Sequence, residues 1–196
     1  MEMNVNRAQF LRRGAAGGLA LVAGNSALAL VRGPAPAFGQ TVTDPDIAKL
    51  AATAELLAID FYTHAIASGK FKGDDLRYLR QARVNEHDHY DALAKVLGSA
   101  APKGLKFKYP SGTFSTRLHV ARTGVALETA FVGAYLGAVT ALSDNGLKGV
   151  AAQIATSESQ HLSVFSDIAS GKPVGASFPK AFTAAQATTA VTPFLA

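Results

Sequence analysis

The chain is expected to fold as an all-α protein, an antiparallel four-helix bundle with one long crossover between the second and third helices. Three observations predict this. Four stretches carry apolar residues at three- and four-residue spacing. The breaks between them run short, long, short. The chemistry of the first two stretches also repeats in the last two. At 196 residues with 48% apolar content, the chain is long enough to bury one real core.

The first helix is expected from Asp44 to Ser68. Asp44-Pro45 suits a cap followed by proline at the first helical position, and Gly69, Lys70 and Gly73 break the stretch. The second runs from Asp74 to Leu97 and stops at Gly98. The third runs from Ser115 to Leu142, after the turn Pro110-Ser111-Gly112. The fourth runs from Lys148 to Ala169, after Ser143-Asp144-Asn145-Gly146, and ends at Gly171-Lys172-Pro173. Short links make antiparallel neighbours of helices one and two, and of three and four. Gly98 to Phe114, with two Pro and three Gly, is long enough to run the length of a bundle. The bundle is thus placed at residues 40–173. Residues 174–196 form a tail with room for a short helix at Thr183–Ala190, before Pro193.

Residues 1–39 read as an export signal rather than as part of the fold. Arg7, Arg12 and Arg13 precede an apolar stretch, Gly14 to Val31, and a small-residue segment follows. Ala37 and Gly39 offer two cleavage points. Asn6 to Arg12 resembles a twin-arginine signal, except that Ala8 stands where the second Arg is expected; Arg12-Arg13 is the alternative pair, and the route stays open. The competing reading is an uncleaved anchor, since the apolar stretch is just long enough to span a bilayer. No later segment reads as long and apolar enough to do so. Cleavage would leave the protein outside the cytoplasm, periplasmic or extracellular, with no membrane partner.

The whole chain has 19 basic and 14 acidic residues, net +5. Removing Arg7, Arg12, Arg13, Arg32 and Glu2 leaves 15 and 13, net +2. The remaining cations are scattered, with a modest cluster at Lys103, Lys106 and Lys108, so no nucleic-acid partner is expected. There is no Cys, which excludes disulfides, iron–sulfur clusters and thiolate metal sites.

The repeat carries the chemistry. Glu55 is followed seven residues later by Tyr62, and Glu128 seven residues later by Tyr135. Glu86 opens Glu86-His87-Asp88-His89, and Glu158 opens Glu158-Ser159-Gln160-His161. Glu55 to Glu86 is 31 residues and Glu128 to Glu158 is 30. Each hairpin therefore offers one Glu, then one Glu-x-x-His, which suggests a duplicated helix pair about a pseudo-twofold axis.

All six residues interrupt apolar stripes. These are Ala48, Ala52, Glu55, Ile59, Tyr62 and Ile66 on the first helix, and Leu76, Leu79, Glu86, His89, Leu93 and Val96 on the second. On the third they are Val125, Glu128, Val132, Tyr135, Val139 and Leu142, and on the fourth Ile154, Glu158, His161, Phe165 and Ile168. A carboxylate in an apolar core needs a counter-charge or a proton. Two divalent cations would balance four carboxylates. Carboxylate oxygen with imidazole nitrogen suits iron, with manganese or zinc as alternatives. A Glu and a His three apart share a helix face and can reach one metal, leaving Glu55 and Glu128 to bridge the pair. After residue 39 the chain has only these four Glu; every other acid is Asp. Two of four Glu gaining His at i+3 by chance is on the order of one in two hundred. The competing reading is a bundle that has lost its metals and keeps its core acids protonated.

One Glu from each of two helices plus Glu-x-x-His from each of the other two is the ligand set of di-iron carboxylate bundles. On these residues the chain resembles the ferritin-like superfamily, especially exported bacterial ferritin-like proteins, and in ligand pattern rubrerythrin and bacterioferritin. The resemblance covers about Asp44 to Ala169. It implies metal ligands at Glu55, Glu86, His89, Glu128, Glu158 and His161, with the four Glu as candidate catalytic groups. It places Tyr62 and Tyr135 as groups that hydrogen-bond the ligands. The implied activity is oxidation of Fe(II) by O₂ or H₂O₂ at a paired metal site. The alternatives are a di-manganese catalase and a non-enzymatic, stress-related or structural metal-binding bundle. A homodimer is compatible with the sequence. His64, His87 and His119 fall out of phase with the stripes and are expected at the surface or at an interface; Asp60 and Asp88 are similarly off-axis.

Overall fold

The computed structural model describes residues 42–196. The expected export signal and its cleavage point lie outside the described residues. Four long helices are present: α1 (Asp44–Ala67), α2 (Gly73–Leu97), α3 (Arg117–Ala141) and α4 (Asn145–Ser170). A short α5 (Ala184–Val191) follows. One 3₁₀ turn ends α2 and another follows α5. Helices α1 and α2 form one hairpin, α3 and α4 the other, and residues 101–116 cross between them. The fold is the expected all-α four-helix bundle.

Side-chain caps set the starts of α1, α3 and α4, and two differ from expectation. Asp44 does not cap α1. Thr43 does, with its backbone N–H and its hydroxyl both on the Asp46 carboxylate, at 3.1 and 2.6 Å. Asp44, one residue inside the helix, instead accepts 2.8 Å hydrogen bonds from the backbone N–H groups of Ser143 and Asp144. It thereby ties the start of α1 to the α3–α4 turn. Asp144 caps α4 by accepting from Leu147 N–H at 2.8 Å, which draws Asn145 and Gly146 into the first helical turn rather than the loop. Thr116 caps α3 by accepting from His119 N–H.

Two apolar clusters fill the bundle. One is built on Leu57, Phe61, Leu79, Leu127, Phe131 and Phe165. The other is built on Ile47, Ala52, Leu93, Leu142 and Ile154. Burying each large side chain among these contributes roughly 1.5–3 kcal/mol. The stripes follow the expected phase, but their ends fray: Val96 is 54% exposed at the end of α2. Helix α3 is long and apolar enough, by length and composition, to cross a membrane, contrary to expectation; more than half of its most apolar stretch is buried inside the bundle. It packs against α4 and α1 and is covered on another side by α5.

That cover depends on glycine. Phe182 N–H donates to Gly133 O at 2.8 Å, and a Cβ on Gly137 would collide with the Phe182 carbonyl oxygen. The tail then pairs with the crossover. Lys108 N–H donates to Phe194 O and Ala196 N–H to Lys106 O, around an antiparallel Phe107–Leu195 bridge. The expected short helix is therefore present, as a strap over α3 and the crossover.

Candidate metal centre

Between the two apolar clusters, one turn from each long helix presents a polar side chain inward. Glu55 comes from α1, Glu86 and His89 from α2, Glu128 from α3, and Glu158 and His161 from α4. Glu86 and Glu158 are fully buried, Glu128 is 1% exposed, and Glu55 and His161 are 2% exposed. The His89 side chain is 14% exposed. All six residues meet in one place.

They form two overlapping groups, each able to hold a cation. Glu55, Glu86, His89 and Glu158 make one; Glu86, Glu128, Glu158 and His161 make the other. Glu86 and Glu158 belong to both. The expectation gave the bridging role to Glu55 and Glu128; the residues common to both groups are instead Glu86 and Glu158. The Glu of each Glu-x-x-His pair faces the other pair across the core, whereas the lone Glu of α1 and α3 each reach one group only. Helix rotation and axial offset decide this, and spacing along one helix does not contain them.

The polar atoms are poorly served by one another. His89 Nδ1 lies 3.4 Å from Glu55 Oε2, 3.2 Å from Glu86 Oε2 and 3.2 Å from Glu158 Oε1. His161 Nδ1 lies 2.8 Å from Glu86 Oε1 and 3.0 Å from Glu158 Oε2. One ring N–H can point at only one oxygen at a time. One oxygen of each carboxylate accordingly accepts no hydrogen bond: Glu55 Oε2, Glu86 Oε1, Glu128 Oε2 and Glu158 Oε1. Buried acceptors are rarely left so. Two cations facing these oxygens and the two Nδ1 atoms would satisfy all of them, so the residues fit a metal pair.

The remaining carboxylate oxygens are held from across the bundle. Tyr62 Oη on α1 donates to Glu128 Oε1 on α3 at 2.6 Å. Tyr135 Oη on α3 donates to Glu55 Oε1 on α1. Burial pushes both phenols well above the ordinary range, so both stay protonated donors.

Without metal, the core stores protons. Burial first, then neighbouring carboxylates, push Glu86 and Glu128 well up, and burial raises Glu55. Burial also acts on Glu158, but hydrogen bonds to His161 and His89 outweigh it and hold that carboxyl at about 2. Burial lowers His89, yet its contacts with Glu158, Glu55 and Glu86 prevail and push it up to about 12. His161 is raised in the same way, chiefly by Glu158. Glu158 is thus a carboxylate between two imidazole rings whose protonated forms it favours.

The span that builds this centre also matches a known family. A family profile described as a ferritin-like domain matches residues 43–170. The chain belongs to the ferritin-like family. No curated protein matches it. The ferritin-like span opens on the Thr43 cap and closes on the last residue of α4, and it includes every residue of the centre. The glycine-seated strap and α5 lie beyond it.

His64, His87 and His119 are at the surface, as their phase predicted. His64 contacts Asp60, and His119 contacts Ser115 Oγ at 2.8 Å. Two residues at the ferritin-like centre escaped the sequence reading. Tyr78 packs edge-on to His161 at 6.1 Å, and its buried hydroxyl has no partner. Asn85 Nδ2 lies 3.3 Å from His161 Nε2. Tyr78 is eight residues before Glu86, about 80° round the helix, and Asn85 about 100° round. Asn85 lies off the stripe that marked the ligands; Tyr78, eleven residues before His89 and about 20° from it, shares that face but reads in sequence as an ordinary core aromatic, and only the proximity of α4 brings both to His161.

Proposed function

We propose that this ferritin-like protein is an exported di-metal carboxylate protein that oxidises Fe(II) with O₂ or H₂O₂, removing reactive iron or peroxide outside the cytoplasm. One observation carries the reading: four buried carboxylates each have an oxygen without a hydrogen bond, and these face two imidazole Nδ1 atoms in two overlapping groups. In this reading Glu55, Glu86, His89, Glu128, Glu158 and His161 are the ligands, as in the rubrerythrin and bacterioferritin pattern. Glu86 and Glu158, which belong to both groups, would serve both ions. Iron, when bound, supplies the electrons for reduction of O₂ or H₂O₂. The chain's own residues hold charge and exclude water. Tyr62 and Tyr135 orient Glu128 and Glu55, and the apolar clusters on either side limit solvent. Export rests on the charged, apolar, small-residue order of residues 1–39.

This chain has no Cys, hence no thiolate site to deliver electrons, so continued turnover of iron needs an external reductant. That favours one second reading, a di-manganese catalase, which needs none. Metal analysis of protein from its native compartment tests the site, with about two ions per chain expected. Aerobic Fe(II) addition to metal-free protein should give near-ultraviolet ferric absorption, absent from Glu86→Ala. Rapid O₂ release from H₂O₂ by the manganese form would favour the catalase. Binding without any turnover would leave a metal-storing or metal-stabilised bundle.

A further inference from the structure

The duplicated hairpins do not make equal half-sites. His161 is enclosed. Tyr62 and Tyr78 pack edge-on against its ring at 5.9 and 6.1 Å, and Asn85 meets its Nε2 at 3.3 Å. Gln81, one turn before Asn85, donates from its Nε2 to the Asn85 amide oxygen at 3.0 Å. His89 is the more open ring, and its contacts with the centre all run through Nδ1. Among the described residues no side chain holds its Nε2. The pseudo-equivalent of Asn85 is Ser157, one residue before Glu158, whose side chain is too short for the same reach.

In both rings Nδ1 faces the carboxylate oxygens. A metal on Nδ1 leaves the ring proton on Nε2, and that N–H needs an acceptor. In the structure Asn85 Nδ2 faces His161 Nε2 and the Asn85 oxygen accepts from Gln81; turning both side-chain amides over, which leaves their shape unchanged, brings Asn85 Oδ1 to His161 Nε2 and its hydrogens to the Gln81 oxygen. Such outer partners fix the tautomer and orientation of a ligating imidazole, and losing one typically costs 10–100-fold in metal affinity. We propose that Asn85 positions His161 for its metal and, having no counterpart at His89, makes the two metal positions unequal, so that the ion beside His161 is retained and the ion beside His89 exchanges. This rests on the di-metal reading above.

Co(II) is the probe, titrated into purified metal-free protein and followed by calorimetry and visible ligand-field absorption. Two binding steps are expected, at least about tenfold apart. Asn85→Leu should weaken the tighter step by about 10–100-fold and leave the other within about threefold; Asn85→Asp, which keeps an acceptor, should restore it. The loss should be confined to the tighter step, whereas a merely structural role would weaken both steps together. Two equal steps in the parent, or equal losses at both in Asn85→Leu, would overturn the inference while leaving the paired site standing. No Co(II) binding at all would sink the di-metal reading itself. Should Asn85→Leu not fold, Ser157→Asn decides: it should tighten the weaker step by about tenfold, and an unchanged weaker step would overturn the proposal.

Discussion

The Tyr62 hydroxyl on α1 donates a 2.6 Å hydrogen bond to Glu128 on α3, while Tyr135 on α3 donates to Glu55 on α1. Each tyrosine thus holds the carboxylate that its own helix does not carry. The seven-residue Glu-to-Tyr spacing becomes a pair of crossed bonds that couple the two hairpins at the centre.

Tyr62→Phe tests that coupling. Glu128 Oε2 already accepts no hydrogen bond, so the variant strips the carboxyl of its one tyrosine donor in a buried site. Leaving a buried acceptor unmet costs about 1–3 kcal/mol. Urea unfolding of the metal-free protein should show a loss of that size, and the loss should shrink once metal satisfies Glu128. Unchanged metal-free stability would mean that the bond contributes nothing.

The shared and unshared glutamates should differ in metal count. Glu86 and Glu158 belong to both ligand groups, Glu55 to only one. Glu86→Ala or Glu158→Ala should therefore lose both ions, and Glu55→Ala about one of two. Elemental analysis after dialysis reads this directly. Loss of both ions from Glu55→Ala alone would reverse the assignment of the bridging residues.

Metal binding and proton release are linked. A raised folded pKa gives stability that is complete below the unfolded value and is lost as pH rises through the folded one. For His89, held by Glu158, Glu55 and Glu86 against burial, that window opens near 6.5 and runs to about 12. The raised carboxyls of Glu55, Glu86 and Glu128 act in the same direction. Glu158, held at about 2, acts the other way, but its window closes below its ordinary 4.5. The metal-free protein should therefore lose stability as pH rises above neutrality. Metal must displace these protons, so its affinity should rise over the same range. The melting-temperature gap between Zn(II)-loaded and metal-free protein should widen from about pH 6 to about pH 8.5. Calorimetry in buffers of different ionisation enthalpy should register protons released. A gap that narrows with pH would contradict the proton-filled core.

Gly137→Ala should lift the strap. The new methyl collides with the Phe182 carbonyl, which is backbone and cannot rotate aside. Overpacking of this kind costs about 1–3 kcal/mol. Limited proteolysis should cut residues 171–183 faster in the variant, while the four long helices keep their circular dichroism. Equal cleavage rates would show that the strap adjusts without leaving α3.

Much of the bundle was legible because helix periodicity and turn residues are local. Gly98 and Gly171 ended helices where expected, and the long crossover fell between the second and third. Capping was less legible, since Thr43, Asp44 and Asp144 all suit the role. Which one caps depends on whether a neighbouring turn claims the side chain, as the α3–α4 turn claims Asp44. The six residues of the centre stood out because a Glu on an apolar stripe conflicts with burial. Tyr78 and Asn85 break no such pattern.

The sequence by itself determined four helices, their pairing into hairpins and the six inward polar residues, because periodicity and the cost of burying charge act within one helix. Only the tertiary structure decided which carboxylates are shared, which tyrosine serves which glutamate and which histidine is enclosed. Those relations depend on the rotation and axial offset of α1 to α4 against one another, and the packing of all four helices together sets them.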